Sequence, residues 1–297
     1  MKKVIGIDLG GTSMYGGVID EKGAILKTSQ RDTFSAKGRD DVLKRINEVI
    51  EDLLDEDILG IGIGTPGFID SKEGKVLQVG GNIEGWANTN IKESINKKFA
   101  NIPVFVENDA NAAALCEHWI GGAKDIENFI MITLGTGVGG AIHLERHGIL
   151  KGVNYQGGEL GHAILYPMGD KCNCGQYGCV ERYISGSAIE RIYKRKTGLD
   201  KKGIDIFRDP DDKIGIEVVD EFTRDLAIYL VSLKNIFDPE GVIIGGGVIN
   251  SRQYWWDGMI DGYKKFSNDP ESMKILPAMY LNNAGMIGAA KSVFDNI

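Results

Sequence analysis

Two segments of this chain share one unusual form. IDLGGTSMYGGVI (7–19) and ITLGTGVGGAIHL (132–144) each run an apolar strand into Leu-Gly and small residues, then into a second strand carrying Gly-Gly. A sequence that does this twice, about 125 residues apart, has to build two hairpins with open turns. The repetition suggests a duplicated architecture.

The elements around the two turns follow the same logic. Strands are expected at 4–9, 14–19 and 24–30. A helix is expected at 39–54, where Val42, Leu43, Ile46, Val49, Ile50 and Leu53 fall on one stripe. A strand at 58–64, a helix near 90–100, a strand at 104–108 and a helix from Asp109 to Trp119 continue the first round. The second round runs through 128–144, a long amphipathic helix at 213–236, a strand at 241–246, a helix at 253–265, a strand at 274–280 and a closing helix at 285–294. This order predicts mixed sheets flanked by helices, an α/β class. At 297 residues the chain is comfortable as two lobes.

A glycine turn lets backbone N–H groups face a concavity where an anion can sit. Asp8, Gly10, Gly11 and Thr12 form one such turn and Gly135, Thr136 and Gly137 the other. One turn alone reads as a tight hairpin. Two together, one with a carboxylate able to hold Mg²⁺ through water, favour a nucleotide clamped between hairpins. Neither turn matches a P-loop or the dinucleotide fingerprint. Gly245, Gly246 and Gly247 follow a strand and precede a helix, so they can approach a nucleoside closely or simply turn the chain.

Composition excludes several classes. The net charge of −8 disfavours non-specific binding to nucleic acid or anionic lipid. Asp8 interrupts the first apolar run too early for a signal peptide, and no stretch nears the ~20 apolar residues of a membrane span. The chain therefore reads as cytoplasmic, and its four cysteines argue against a disulfide framework there.

In VFVENDANAAALCEHW (104–119) an apolar strand meets an Ala-rich helix. Such a junction wants one Asn or Asp as N-cap. Glu107, Asn108, Asp109 and Asn111 exceed that need and suggest a polar site. A carboxylate there can accept a hydroxyl proton while Asn108 positions the hydroxyl.

Asp8–Thr12, Glu107–Asn111, Leu134–Gly140, Glu159–His162 and Cys172–Glu181 together resemble the ROK family of repressors, open reading frames and sugar kinases. The motifs stand in family order across nearly the whole chain. The resemblance implies an actin-like, ribonuclease-H-like fold of two lobes and a central cleft. The lobes are expected at 1–120 plus about 282–297, and at about 121–281. ATP phosphates would meet the two glycine turns, with Mg²⁺, and Gly245–Gly247 would belong to the nucleotide site. Asp109 would be the catalytic base, and Gly67, Asn82, Asn108, Glu159, His162 and Glu181 would contact the sugar. A homodimer or dimer of dimers is implied.

His162, Cys172, Cys174 and Cys179 lie on one short segment and suit a closed tetrahedral Zn²⁺ site. A Cys-x-Cys disulfide would be strained, and the family's zinc motif matches all four positions. The metal would then hold a loop whose ends are Glu159 and Glu181.

The expected activity is ATP-dependent phosphorylation of the 6-hydroxyl of a hexose, with glucose, N-acetylmannosamine, allose and N-acetylglucosamine all open. Alternatives are a sugar-responsive regulator, for which no helix-turn-helix has room before the strand at Val4, and a catalytically silent sensor, against which Asp109 argues.

Overall fold

The computed structural model describes residues 1–78 and 83–297. They divide into two compact units. The first comprises Met1–Asp125, Ile149–Gly157 and Met279–Ile297, the second Ile126–Gly148 and Gly158–Ala278.

The first unit opens with β1 (Lys3–Leu9), β2 (Ser13–Asp20), β3 (Ile25–Asp32), α1 (Arg39–Leu53) and β4 (Ile58–Thr65). A small hairpin of β5 (Phe68–Asp70) and β6 (Lys75–Gln78) precedes α2 (Ile91–Asn96), β7 (Val104–Asn108) and α3 (Asp109–Ile120). The sheet order is β3-β2-β1-β4-β7. β1 is antiparallel to β2 and parallel to β4, and β4 is parallel to β7.

The second unit holds β8 (Phe129–Leu134), β9 (Val138–Leu144), the start of β10 (Gly148–Ile149), α4 (Glu181–Ile184), α5 (Gly186–Thr197), α6 (Gly203–Arg208), α7 (Lys213–Phe237), β11 (Gly241–Gly245), α8 (Trp256–Phe266) and β12 (Lys274–Pro277). Its sheet order is β10-β9-β8-β11-β12. β8 is antiparallel to β9, and β11 is parallel to both β8 and β12. The two sheets thus share strand order, and β2-β1-β4-β7 and β9-β8-β11-β12 share strand sense, so the repeat seen in the two turns is a repeat of topology.

The α1 stripe behaves as its spacing demands. Val42, Ile46, Val49, Ile50 and Leu53 are buried in one core with Ile5, Ile7 and Leu9 of β1, the helix lying over β2 and β3, and Leu43 packs at the margin. Each fully buried aliphatic side chain contributes about 1.5–3 kcal/mol relative to exposure. The other face of the sheet is covered by α9 (Ala284–Phe294). Its backbone comes so close that a Cβ on Gly62 would lie 1.9 Å from the Ala289 carbonyl oxygen. Several of the chain's 41 glycines thus serve helix-on-sheet contact and not a ligand.

The return of the chain into the first unit is pinned by a buried carboxylate. Glu117 of α3 accepts the Met279 and Tyr280 N–H groups at 2.9 Å and the Gly122 N–H at 2.8 Å.

The β5–β6 hairpin, β10, α4 and α6 are too short to show a strong periodicity, whereas α5 buries Ala188, Ile189, Ile192 and Tyr193 on one stripe, a helical pattern absent from the expected elements. After β11 the chain takes a 3-10 path over Gly247–Tyr254, so the helix expected from 253 begins at Trp256. No helix among the described residues is long and apolar enough to cross a membrane.

Candidate active site

In the first unit, Asp8 pairs across the sheet with Gly64, and Gly64 pairs with Glu107. Asp8, Asn108 and Asp109 therefore gather at the carboxyl ends of parallel strands, with β1 and β7 roughly 10 Å apart across β4. In open α/β sheets this end is where ligands bind.

Asn108, not Asp109, caps α3. Its Oδ1 accepts from the N–H groups of Ala110 and Asn111 at 2.9 and 3.1 Å. Its Nδ2 donates to the Gly67 carbonyl at 3.1 Å, which ties the two predicted substrate residues together. Asp109 is then the first residue of the helix and remains solvent-exposed. The protein packed around its carboxyl raises its pKa, against the opposing pull of hydrogen bonds from Ala110 N–H, its own N–H and Asn108. Asp8 is pushed up to about 7, chiefly by burial and then by the neighbouring Asp109 carboxylate. A buried acid whose charge a neighbouring carboxylate disfavours marks a place where a cation or a proton is wanted.

Glu107, buried beside them, accepts from Asn111 Nδ2 and the Asn108 N–H, both at 3.0 Å. Lys151 Nζ reaches its other oxygen at 2.6 Å and donates to Ser71 Oγ at 2.7 Å. Lys151 stands alone in ILKGVNYQGG (149–158), with no local pattern to single it out.

The first glycine turn is closed by the Gly10 N–H donating to the Ser13 carbonyl at 3.0 Å. Thr33, fully buried after β3, clamps it: its Oγ1 donates to the Gly10 carbonyl at 2.7 Å and its N–H to the Thr12 carbonyl at 2.8 Å. Gly11 lies half-buried in the turn, and Thr12 is left exposed at the tip. Thr33 carries no sequence signal beyond its place at a strand end.

In the second unit, the Gly135 N–H donates to the Gly137 carbonyl at 2.9 Å, leaving Thr136 exposed. A Cβ on Gly135 would meet nothing within 4 Å, whereas one on Gly137 would strike the Glu181 carboxylate. The same contrast divides Gly245–Gly247. Gly246 has φ 84° and packs on the Leu134 backbone, Gly245 lies against Met131, and Gly247 faces open space.

His162, Cys172, Cys174 and Cys179 converge so that one ligand atom of each lies within 4.8 Å of the others. The Cys174 and Cys179 sulfurs are 3.6 Å apart, and Cys172 Sγ is 3.8 Å from His162 Nδ1. Tetrahedral Zn–S bonds of about 2.3 Å would separate sulfurs by about 3.8 Å, so the donor set fits zinc. All four cysteines are free thiols. His162 Nε2 faces Glu159 at 3.9 Å, so one ring joins the cluster to a predicted sugar residue. Gln176 Nε2 donates to the His162 carbonyl at 3.2 Å and lies 3.5 and 3.6 Å from the Cys174 and Cys179 sulfurs. Asn82, the remaining predicted sugar residue, lies outside the described residues.

A model of the ROK family matches residues 4–295. The chain belongs to the ROK family. It is 33% identical to a glucokinase of Thermotoga maritima, over 99% of this chain and 98% of that one. Its fold superposes on a ROK hexokinase of Thermus thermophilus with a TM-score of 0.88 at 34% identity, covering 99% and 100% of the two chains. A ROK glucokinase of Streptomyces griseus, solved with glucose and AMPPNP, gives a TM-score of 0.84 at 30% identity and 98% coverage of each. The fold is accordingly the actin-like ATPase fold of ROK sugar kinases.

Proposed function

We propose that this chain is an ATP-dependent hexose kinase that phosphorylates the 6-hydroxyl of glucose or N-acetylmannosamine. The observation that carries the reading is Asp109. Asn108 makes the two capping bonds to Ala110 and Asn111, so Asp109, held in the first turn only through the Ala110 N–H on its Oδ1 at 2.9 Å, keeps its second carboxylate oxygen for other work at the carboxyl end of the strands. Asp8 stands in the same unit beside the first glycine turn. An acid with this placement suits a general base next to a phosphate cradle.

Asp109 would accept the proton of the 6-hydroxyl as that oxygen attacks the γ-phosphorus of ATP. The O–H bond breaks, the new P–O bond forms, and ADP leaves with the electron pair of the broken bond. Catalysis of this kind is mostly positioning and charge neutralisation. Gly10, Gly11 and Thr12 in the first unit, and Gly135 and Thr136 in the second, would present backbone N–H and hydroxyl groups to the phosphates. Asp8 would hold Mg²⁺ through water, and that ion would neutralise phosphate charge.

Zn²⁺ would be held by His162 Nδ1 and the three thiolates, with no open coordination position and hence a structural role. His162 Nε2 would stay available to Glu159 or to the sugar. Glu159, His162 and Glu181 would recognise hydroxyl groups, because a buried partner left unpaired penalises a wrong sugar.

The test is a coupled ADP-release assay with ATP over glucose, N-acetylmannosamine, N-acetylglucosamine and allose, for wild type and Asp109→Asn. Turnover of one hexose that collapses in the variant is expected. Absence of turnover on all four sugars overturns the reading.

A further inference from the structure

The Glu181 carboxylate is seated on the second glycine turn. Its Oε2 accepts the Val138 N–H at 3.0 Å. A Cβ on Gly137 would lie 2.3 Å from that same oxygen and 3.2 Å from the carboxyl carbon. The missing side chain at 137 is therefore what makes the seat. The residues that follow Glu181 are laced to the same turn. The Gly186 N–H donates to the Gly135 carbonyl at 2.8 Å, and Ser187 Oγ donates to the Thr136 carbonyl at 2.5 Å. On the other side, only Val180 separates Glu181 from Cys179, and the Val180 N–H donates to the Ala163 carbonyl at 2.8 Å. One short stretch thus runs from the cysteine cluster through Glu181 to the glycine turn.

We propose that this turn serves the sugar as well as the nucleotide, with Gly137 and the Val138 N–H acting as positioning groups for Glu181. The inference rests on the hexose-kinase reading. It divides the turn by residue. Gly135 faces open space, where a phosphate can approach its backbone. Gly137 faces the carboxylate, and no phosphate need come near it. With Oε2 held by Val138, Oε1 is the oxygen presented to hydroxyl groups. Anchoring one oxygen fixes the direction of the other, and a carboxylate discriminates between hydroxyl patterns only when its direction is fixed. The anion on the Val138 N–H also blocks that donor to phosphate, so the two substrates share the turn without competing for it.

The test compares wild type, Gly137→Ala, Gly135→Ala, Glu181→Ala and the Gly137→Ala/Glu181→Ala double variant. D-glucose and N-acetylmannosamine are titrated separately by calorimetry without nucleotide. Hexose kcat/KM and the KM for ATP are measured alongside. Losing a charge-assisted hydrogen bond is worth roughly tenfold to hundredfold in affinity. Gly137→Ala should weaken hexose binding by about that factor, although its residue lies in a nucleotide turn. Gly135→Ala should leave hexose binding as it is and raise the KM for ATP. The double variant should be no worse than Glu181→Ala, since the added methyl group then has nothing to displace.

An unchanged hexose affinity in Gly137→Ala, with Glu181→Ala impaired, overturns the inference and leaves the kinase reading standing. An unimpaired Glu181→Ala removes Glu181 from the sugar site, and wild type that binds neither sugar removes glucose and N-acetylmannosamine as its substrates. Both carry this inference away with them. Should Gly137→Ala fail to fold, recovery of a cooperative thermal transition in the double variant supports the seat. A double variant that is still unfolded overturns it.

Discussion

Lys151 Nζ stands 2.6 Å from Glu107 Oε2, and the Glu107 side chain is only 7% exposed. The pair ties the 149–157 segment to the strand that delivers Asn108 and Asp109, because the other Glu107 oxygen holds the Asn108 N–H and Asn111 Nδ2. A charge so deep needs its partner. Breaking a buried pair costs about 3–5 kcal/mol, and the partial exposure of Lys151 lowers the expectation to about 2 kcal/mol. Lys151→Met should shift the urea midpoint down accordingly. Adding Glu107→Gln should restore part of the loss, because the orphaned charge is gone. A double variant that sums the two single losses would mean the residues act independently.

Asp109→Asn keeps shape and removes basicity. Transfer to a positioned base contributes roughly 10²–10⁴-fold, so turnover should fall by that factor while hexose affinity changes far less. Asn108 already caps α3, so the melting temperature should stay within a degree or two. The pKa of Asp109 is raised, and only the ionised form accepts a proton. The acid limb of kcat/KM in wild type should therefore lie above the ordinary aspartate value near 3.9. A limb at or below that value removes Asp109 as the base.

Asp8 makes stability depend on pH. Its pKa is about 7 in the fold against 3.8 for an unperturbed aspartate, so between these values the native state holds more protons than the unfolded one. Stability contributed by this group is present at low pH and lost as pH rises through that window. Asp8→Asn, measured without Mg²⁺ or nucleotide, should gain on wild type in melting temperature more at pH 8 than at pH 5. An equal difference at both values counts against the raised pKa.

Metal analysis of protein purified without chelator should find about one Zn²⁺ per chain. Cys174→Ser is the sharpest variant. Cys174 is exposed, whereas Cys172 and Cys179 are buried, so a mere packing role would cost little there. Loss of metal, a lower melting temperature and weaker hexose binding are expected together. Wild type without zinc rules the site out.

Much of this protein is legible along the chain, because strand and helix periods, turn glycines and cap residues act within a few positions of one another. The α1 stripe, both glycine hairpins, the β7–α3 junction and the clustered thiols are local patterns of this kind. So is the repeat, since it recurs as residues before it recurs as topology. The division of labour inside those patterns is another matter. Four polar residues at 107–111 compete for one cap, and only the backbone geometry at Asn108 awards it there, leaving Asp109 with a single bond from the Ala110 N–H and one carboxylate oxygen to spare. Gly135 and Gly137 look alike in sequence. They differ because Glu181, 43 positions after Val138, puts its carboxylate against one and not the other. Lys151 is silent until the fold brings it to Glu107, 44 positions away. A side chain's local period determines which face of an element it occupies. What it meets on that face depends on how sheets and loops assemble over distances that no local pattern encodes.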